Sequence, residues 1–176
     1  MIQISPTSFL QRVWPQNFLR DETLELRAIR RKDNSIKRKF LTSIDEFLTT
    51  ASEYGDEWDI YFGVSTRFQK GGKKQDCYRI KCVWVDLDKP ETPSFVPVKP
   101  DIIVKSGTGS HVYWTLRDPL FIRAGRWKEI EAVNRGLCKK FGGDIASIDV
   151  TRILRVPGFK NWKYDPPIEV KAYVQD

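Results

Sequence analysis

The sequence is poor in the residues that build zinc sites and disulfide frameworks, with only three cysteines and one histidine among 176 residues. Cys77, Cys82 and Cys138 are odd in number and show no C-x-x-C spacing. A Cys/His zinc site would need all or nearly all of these side chains together with the histidine. We therefore expect unpaired thiols in a reducing compartment, and no zinc.

Long apolar runs are also missing. No stretch approaches the roughly 18 residues that a membrane-spanning helix requires. The first sixteen residues lack the basic segment followed by an apolar one that marks a secretory signal. These absences predict a cytoplasmic protein with no membrane partner.

What is present is ordinary for a globular chain with an excess of basic groups. Hydrophobic residues make up 40% and charged residues 30% of the sequence. The length suits one domain with a sizeable core, residues 1–176, and no repeat, low-complexity segment or linker divides it. The net charge of +7 favours a polyanionic partner, although basic surfaces also occur for solubility alone. The basic residues of one early stretch are Arg27, Arg30, Arg31, Lys32, Lys37, Arg38 and Lys39.

Hydrophobic periodicity predicts a mixed α/β (α+β) unit. Ser5-Pro6 and a capping box from Ser43 to Glu46 each predict the start of a helix. Residues 23–31 and 35–42 alternate around Asp33-Asn34, which is typical of a hairpin with a basic outer face. Further strands are predicted at 58–67, 78–88, 101–106, 111–116 and 167–174, with a helix at 121–141 that Gly142-Gly143 ends. The run at 89–93 is predicted to stop the strand before it.

The first candidate site is the acidic pair at the end of the strand 78–88. Side chains alternate along a strand, so Asp86 and Asp88 share one face while Val85 and Leu87 lie on the other. Two carboxylates about 7 Å apart repel each other unless a cation lies between them. Their oxygen atoms suit Mg²⁺ or Mn²⁺. The alternative is a strand that runs out into solvent, where paired acids are common.

The second candidate is the link between two strands, SGTGSH at 106–111. Gly107 and Gly109 allow a ligand to approach the backbone, and free N–H groups there can hold phosphate oxygens. Ser106 and His111 flank this turn, and His111 could donate a hydrogen bond to a triphosphate. The link is neither a P-loop nor a dinucleotide fingerprint, and a plain hairpin turn with a surface histidine is the alternative.

The third candidate is the run that begins at Asp149. The basic and amide side chains that follow it are Arg152, Arg155, Lys160, Asn161 and Lys163. Guanidinium groups bind phosphate through two hydrogen bonds, and lysine adds a point charge. A salt-bridged surface turn is the alternative. Asp144 competes for the acidic role, although its position after Gly142-Gly143 is more typical of a cap for the next segment.

Together the three segments provide what a nucleotidyl transfer needs. The acids can hold two metal ions about 4 Å apart, and these ions bind the attacking 3′-oxygen and the leaving pyrophosphate. A Gly/His turn and basic side chains can then stabilise the charge that develops on the triphosphate.

These motifs, VWVDLD, SGTGSHVYW and SIDVTRILRVPGFKN in that order, resemble those of the archaeo-eukaryotic primase superfamily, especially its primase-polymerase and RepB-like branches. The resemblance covers residues 58–163 well and residues 1–55, part of an N-terminal module, poorly. It implies two α/β modules, one with a sheet like that of an RNA-recognition motif, and an active site in the cleft between them. It also implies a DNA-directed nucleotidyltransferase that uses NTP or dNTP substrates, a DNA template and primer, and two Mg²⁺ or Mn²⁺ ions.

The resemblance assigns roles residue by residue. The implied catalytic metal ligands are Asp86, Asp88 and Asp149. The implied nucleotide-binding residues are Ser106, Gly107, Gly109, His111, Arg152, Arg155, Lys160 and Asn161. Nucleic acid is expected at Arg67, Lys70, Lys73 and Lys74. The sequence has no evident zinc-binding or helical module, so primer extension is expected more than priming without a primer. The chain is expected to be a monomeric core of a larger protein or replication complex. Some relatives belong to mobile elements or lie beside CRISPR genes.

Two other functions fit parts of the same pattern. A non-catalytic nucleic-acid-binding module could stack bases on Tyr61, Trp84, Tyr113 or Trp114, but it gives no reason for three acids that repel phosphate. A metal-dependent nuclease would use similar acids and would shorten a primer instead of extending it.

Overall fold

A computed structural model describes residues 1–88 and 99–175, which form two larger antiparallel sheets, one two-stranded sheet and three α-helices. The helices are α1 (Pro6–Val13), α2 (Ile44–Ser52) and α3 (Trp127–Phe141). The strands are β1 (Ile2–Ile4), β2 (Glu22–Arg30), β3 (Ser35–Leu41), β4 (Trp58–Gly63), β5 (Arg67–Phe68), β6 (Arg79–Leu87), β7 (Ile102–Lys105), β8 (Ser110–Phe121), β9 (Ile153–Arg155), β10 (Lys160–Asn161), β11 (Ile168–Glu169) and β12 (Lys171–Val174). The predicted mixed fold is confirmed.

The first two helices begin where their capping residues predict. The Ser5 hydroxyl accepts a hydrogen bond from the Ser8 N–H at 3.1 Å, and Pro6 occupies the first turn, where its missing N–H costs nothing. The Ser43 hydroxyl accepts from the Glu46 N–H in the same way. Both helices therefore start with part of their free N–H groups satisfied.

The first sheet has the strand order β1-β12-β7-β8-β6. Helix α3 covers one of its faces, where Cys138 packs against Val85, Leu87 and Val112. The other face carries Trp84 and Tyr113, both fully buried. Strand β6 is therefore buried on both sides along most of its length, which holds its register firmly.

The second sheet has the order β3-β2-β4-β9, and its β2–β3 hairpin turns around residues 31–34 as predicted. Helices α1 and α2 pack against one face, where the Trp14 ring meets the rings of Phe47 and Phe62 at 5.1 and 5.5 Å. Phe9 of α1 lies between the sheets, because its ring contacts Phe62 of the second sheet and Tyr113 of the first. The core is thus centred on α1.

The chain up to residue 55 contributes to both sheets. Strand β1 pairs with β12 in the first sheet, while β2 and β3 belong to the second. The elements of this early segment are consequently built into the same core as the motif-bearing ones.

Four predicted elements have clearly different limits in the structure. The strand predicted at 111–116 extends to Phe121. The strand predicted at 58–67 ends at Gly63, where a side chain would crowd the buried Glu25 Cβ at 3.1 Å. The helix predicted at 121–141 begins at Trp127, because Ala124 and Gly125 have left-handed backbone angles that a helix cannot include. The tail predicted as one strand divides at Val170, whose N–H donates to the Phe159 carbonyl. Strand β6 ends at Leu87, and the stop predicted at 89–93 lies outside the described residues.

The cysteines are unpaired and buried, as Cys77, Cys82 and Cys138 all lie in the hydrophobic interior. Burial raises the pKa of the Cys82 thiol to about 12. In the described part of the chain, none of the helices has the length and apolar character needed to cross a bilayer.

Candidate active site

The pairing of β6 with β8 places Asp86 directly opposite His111. Opposed residues of an antiparallel pair have their side chains on the same face, and here the His111 Nε2 lies 3.7 Å from the Asp86 Oδ1. The acid of the first motif and the histidine of the second are therefore neighbours. The sequence analysis assigned both to one site, and the sheet register is what joins them.

His111 is held in its neutral form. Its side chain is buried, and this burial lowers its pKa to about 4, outweighing the opposite effect of the Asp86 carboxylate. The positive charges of Arg155 and Arg152 lower the pKa further. At neutral pH the imidazole therefore has one N–H donor and one free acceptor.

A second carboxylate, Asp144, lies beside Asp86. Its N–H donates to the Asp86 carbonyl at 2.8 Å, and its side chain caps the next turn by accepting from the Ala146 N–H. One terminal nitrogen of Arg152 lies 3.9 Å from the Asp86 carboxylate and 3.8 Å from that of Asp144. The cap that the sequence suggested is present, but the same residue is also the acidic neighbour of Asp86.

The sequence carried one signal for this placement. Gly143 runs so close to β6 that an added Cβ would lie 3.0 Å from the Asp86 carbonyl oxygen. A Gly-Gly pair before an acid can therefore indicate a close backbone approach as well as a helix end.

Asp149 has different neighbours. Its carboxylate binds the Lys74 ammonium at 2.7 Å and accepts hydrogen bonds from the N–H and hydroxyl of Thr151. Burial raises its pKa, but Lys74 and Thr151 outweigh this effect and lower it overall. Lys74 also contacts Glu131 at 2.8 Å. These contacts anchor the loop before β6 to the segment before β9.

The three predicted acids are not assembled as one group. Within residues 1–88 and 99–175, no three carboxylate, imidazole or thiol groups lie close enough together to hold a metal ion. Asp88 is exposed at the end of the first described range. The structure thus brings Asp86 together with Asp144, whereas the side-chain contacts of Asp149 are with Lys74 and Thr151.

The glycine-containing turn is tied to the end of the third motif. The Ser106 carbonyl accepts a hydrogen bond from the buried Asn161 side chain, and the Tyr164 hydroxyl lies 3.2 Å from the Thr108 N–H. Gly107 has a φ of 151°, and a side chain there would collide with the Tyr164 ring. Tyr164 is a contact that the sequence analysis missed, since no local pattern links it to the turn.

Comparison with known proteins gives this arrangement a family context. Residues 91–172 match the family described as the RepB DNA-primase N-terminal domain. A replication protein from Clostridium perfringens is 32% identical over 100 residues, which cover 57% of this chain and 23% of that protein. The chain therefore spans about a quarter of this curated relative.

Solved structures match over most of the chain. The primase-polymerase domain of cyanophage S-2L gives a TM-score of 0.63 at 15% identity, covering 86% of this chain and 80% of that one. The catalytic domain of primase RepB′, solved with initiator DNA, gives 0.58 at 16% identity, covering 89% and 77%. The chain therefore has the fold of these primase-polymerase and primase domains. The predicted resemblance is confirmed.

Unpaired buried polar atoms concentrate at the candidate active site. Six side-chain atoms in the described residues are buried without a hydrogen-bond partner, and four of them belong to His111, Tyr113, Arg152 and Arg155. His111 and Arg152 flank Asp86, the Tyr113 ring contacts His111, and Arg155 acts electrostatically on His111. Native proteins rarely leave such groups unpaired, and those that remain often mark a place where a ligand binds.

Two basic residues predicted to bind the nucleotide have different places in the fold. Arg155 ends β9 with its guanidinium 4.9 Å from the centre of the Tyr61 ring and 3.4 Å from Asp59. Lys160 is exposed and lies 3.6 Å from Asp56. The charge of Arg155 also lowers the pKa of His111, whereas the ion pair of Lys160 is with Asp56.

The prediction that Arg67 binds nucleic acid is wrong. Its side chain is fully buried, where it binds the Glu25 carboxylate, the Cys77 sulfur and the Thr151 carbonyl. Lys74 is held by Asp149 and Glu131, while Lys70 and Lys73 are exposed. Arg67 pairs with Cys77 through an isolated β-bridge, and both side chains lie in the interior.

The suggested aromatic stacking platforms are also mostly enclosed. Trp84 and Tyr113 have no exposed surface, and Trp114 stacks on Phe141. Tyr61 alone of these four lies on the face of the second sheet opposite α1 and α2, which makes it the remaining candidate for base contacts.

Proposed function

We propose that this primase-polymerase core is a template-dependent nucleotidyltransferase that joins nucleotides to a primer 3′-hydroxyl and releases pyrophosphate. The observation that carries this proposal is the cluster at the junction of the two sheets. There Asp86 and Asp144 share Arg152, next to a neutral His111 and the end of β9.

The donor set fits Mg²⁺ or Mn²⁺. Magnesium is usually held by one or two carboxylates, several waters and the substrate's own phosphates, so a complete protein cage is not needed. Asp86 and Asp144 supply two hard oxygen donors, and Arg152 already places a positive charge between them. Asp86 and Asp144 would hold an ion without a third protein carboxylate, and Asp88, exposed at the end of the same strand, stays a predicted ligand. Bound there, the ions would stabilise charge on the attacking and leaving oxygens.

The chain's own groups then bind and orient the triphosphate. Neutral His111 can donate its one N–H to a phosphate oxygen without adding charge. Arg152 and Arg155 present guanidinium nitrogens that lack partners, and a phosphate would satisfy them. Because these donors are already in place and partly buried, they can stabilise developing negative charge with little rearrangement.

A primer-extension gel with a labelled primer, a template, nucleotides and Mn²⁺ tests this function directly. Longer products are expected. Shortened primers would show a nuclease instead, and an unchanged primer bound to protein would show a binding module.

The assignment of the third acid can be tested by metal titration. Asp144→Asn should weaken Mn²⁺ binding at least tenfold by calorimetry, because it removes a carboxylate beside Asp86. Asp149→Asn should keep the affinity within about twofold, and its loss of the Lys74 contact should lower stability by about 1 kcal/mol at most. If only Asp149→Asn lost Mn²⁺ binding, Asp149 would be the metal ligand that its motif predicts and Asp144 would not.

His111 should act on nucleotide binding. His111→Leu removes a hydrogen bond to a charged group, an interaction of about 1.5–3 kcal/mol, so we expect the nucleotide KM to rise at least tenfold. His111→Gln keeps an N–H donor and should recover part of the loss. Steady-state kinetics at saturating primer-template measure both, and unchanged KM and kcat in His111→Leu would remove the residue from the site.

A further inference from the structure

A row of four side chains crosses the second sheet at right angles to its strands. The strand register sets Arg38 opposite Arg27, Arg27 opposite Tyr61, and Tyr61 opposite Arg155. Directly opposed residues share a face, so all four lie on the side away from α1 and α2. Three strand spacings make the row about 14 Å long. We call Arg38, Arg27, Tyr61 and Arg155 the cross-strand row.

The charge on this face is strongly unbalanced. Three guanidinium groups, those of Arg27, Arg38 and Arg67, converge on the Glu25 carboxylate. Two more, those of Arg31 and Arg155, converge on Asp59. The two acids are fully buried, while the side chains of Arg27, Arg38 and Arg31 are 27%, 33% and 45% exposed. Five positive groups around two buried carboxylates leave an outward-facing excess of three charges, which suits a polyanion.

The same face alternates guanidinium planes with aromatic rings. Arg155 lies over Tyr61 at 4.9 Å, and Arg38 lies over Phe40 at 4.8 Å. Stacking on rings and guanidinium planes requires bases with free faces, which a single strand provides and a duplex does not. A single-stranded nucleic acid therefore fits this face better than a double helix.

The row connects two functional regions. At one end, the loop that carries Lys70 and Lys73 folds over Arg38, since a side chain at Gly72 would meet its guanidinium. At the other end, Arg155 acts electrostatically on both His111 and Tyr164. A strand that follows the row from the lysine loop would therefore reach the candidate active site.

We propose that the cross-strand row binds the single-stranded template DNA and leads it to the active site. The phosphates lie on Arg27 and Arg38, and a base stacks on Tyr61. The identification of the bound strand as a template rests on the proposed polymerase function. The binding of single-stranded DNA by the cross-strand row rests only on the residues of the sheet face.

Fluorescence anisotropy with a labelled 12-nucleotide strand, in EDTA and without nucleotides, tests the row independently of catalysis. Arg27→Gln and Tyr61→Ala should each weaken binding about tenfold. The slope of log affinity against log salt should fall by about 0.7 for Arg27→Gln, as for the loss of one phosphate contact. Tyr61→Phe should bind normally, since stacking needs the ring and not the hydroxyl.

The matched control is on the first sheet and its helix. Arg135 is exposed on α3, and Tyr173 lies on β12, so Arg135→Gln with Tyr173→Ala changes the same residue types away from the row. This control should bind as the unmodified protein does. The inference would be overturned if the control lost as much DNA affinity as the row variants. It would also be overturned by unchanged binding in Arg27→Gln and Tyr61→Ala, or by a preference for duplex DNA.

A crosslink in the unmodified protein covers the case of a variant that does not fold. Iodouracil placed in the strand should crosslink to the peptide that contains Tyr61, and a crosslink confined to α3 would overturn the inference. If the protein extends primers and the row variants bind DNA normally, the polymerase function stands and the binding role of the cross-strand row is refuted. Row-dependent binding without any nucleotide incorporation would instead refute the proposed function.

Discussion

Asp86→Asn is expected to reduce nucleotide incorporation about a thousandfold while the protein stays folded. The substitution removes the carboxylate common to the His111 and Arg152 contacts, and a loss of about 4 kcal/mol of transition-state stabilisation corresponds to that factor. The fold should tolerate the change, because both contacts are longer than a hydrogen bond, at 3.7 and 3.9 Å. The backbone carbonyl that accepts from Asp144 is retained.

Single-turnover extension of a labelled primer measures the rate, and thermal unfolding measures the fold. Asp118→Asn is the matched control, since Asp118 is exposed on β8 of the same sheet and away from the cluster. It should extend primers at the normal rate. Full activity in a protein that carries both Asp86→Asn and Asp88→Asn would end the catalytic proposal.

Glu25→Gln is expected to lower the free energy of unfolding by about 3–5 kcal/mol, because it leaves buried guanidinium charge without its counterion. Glu25 and Arg67 are both fully buried, and Arg27 and Arg38 bind the same carboxylate. A neutral amide would also turn an N–H group toward guanidinium donors. Urea unfolding at pH 7 measures the change, with the exposed Glu53→Gln as control.

The same residue predicts how stability depends on pH. Burial raises the pKa of Glu25, but the charges of Arg67 and Arg27 and hydrogen bonds from Arg27 and Arg38 outweigh it, so the pKa is lowered overall. The contribution of Glu25 is therefore complete above its unfolded pKa of about 4.3 and is lost as the pH falls through the lower folded value. Glu25→Gln should lack this part of the acid sensitivity. A stability loss below about 1 kcal/mol at pH 7 would contradict both expectations.

The sequence analysis succeeded where a short pattern decides the outcome. The Ser5 and Ser43 caps begin helices as predicted, and Asp33-Asn34 lies in the hairpin turn. The first two motifs lie next to each other because β6 and β8 pair as neighbours. The prediction for Arg67 was wrong, because this residue was expected to bind nucleic acid and its side chain is fully buried against Glu25 and Cys77.

By itself the sequence determined the mixed fold and most of its strands and helices, and it marked Asp86 and His111 as candidate site residues. These follow from periodicity, capping and turn chemistry, which act over a few neighbouring residues. Only the tertiary structure decided that Asp144 lies beside Asp86 while Asp149 binds Lys74, that His111 is neutral, and that Arg27, Tyr61 and Arg155 align across three strands. Such relations depend on the register of distant segments and on the water excluded between them, and no local pattern encodes either.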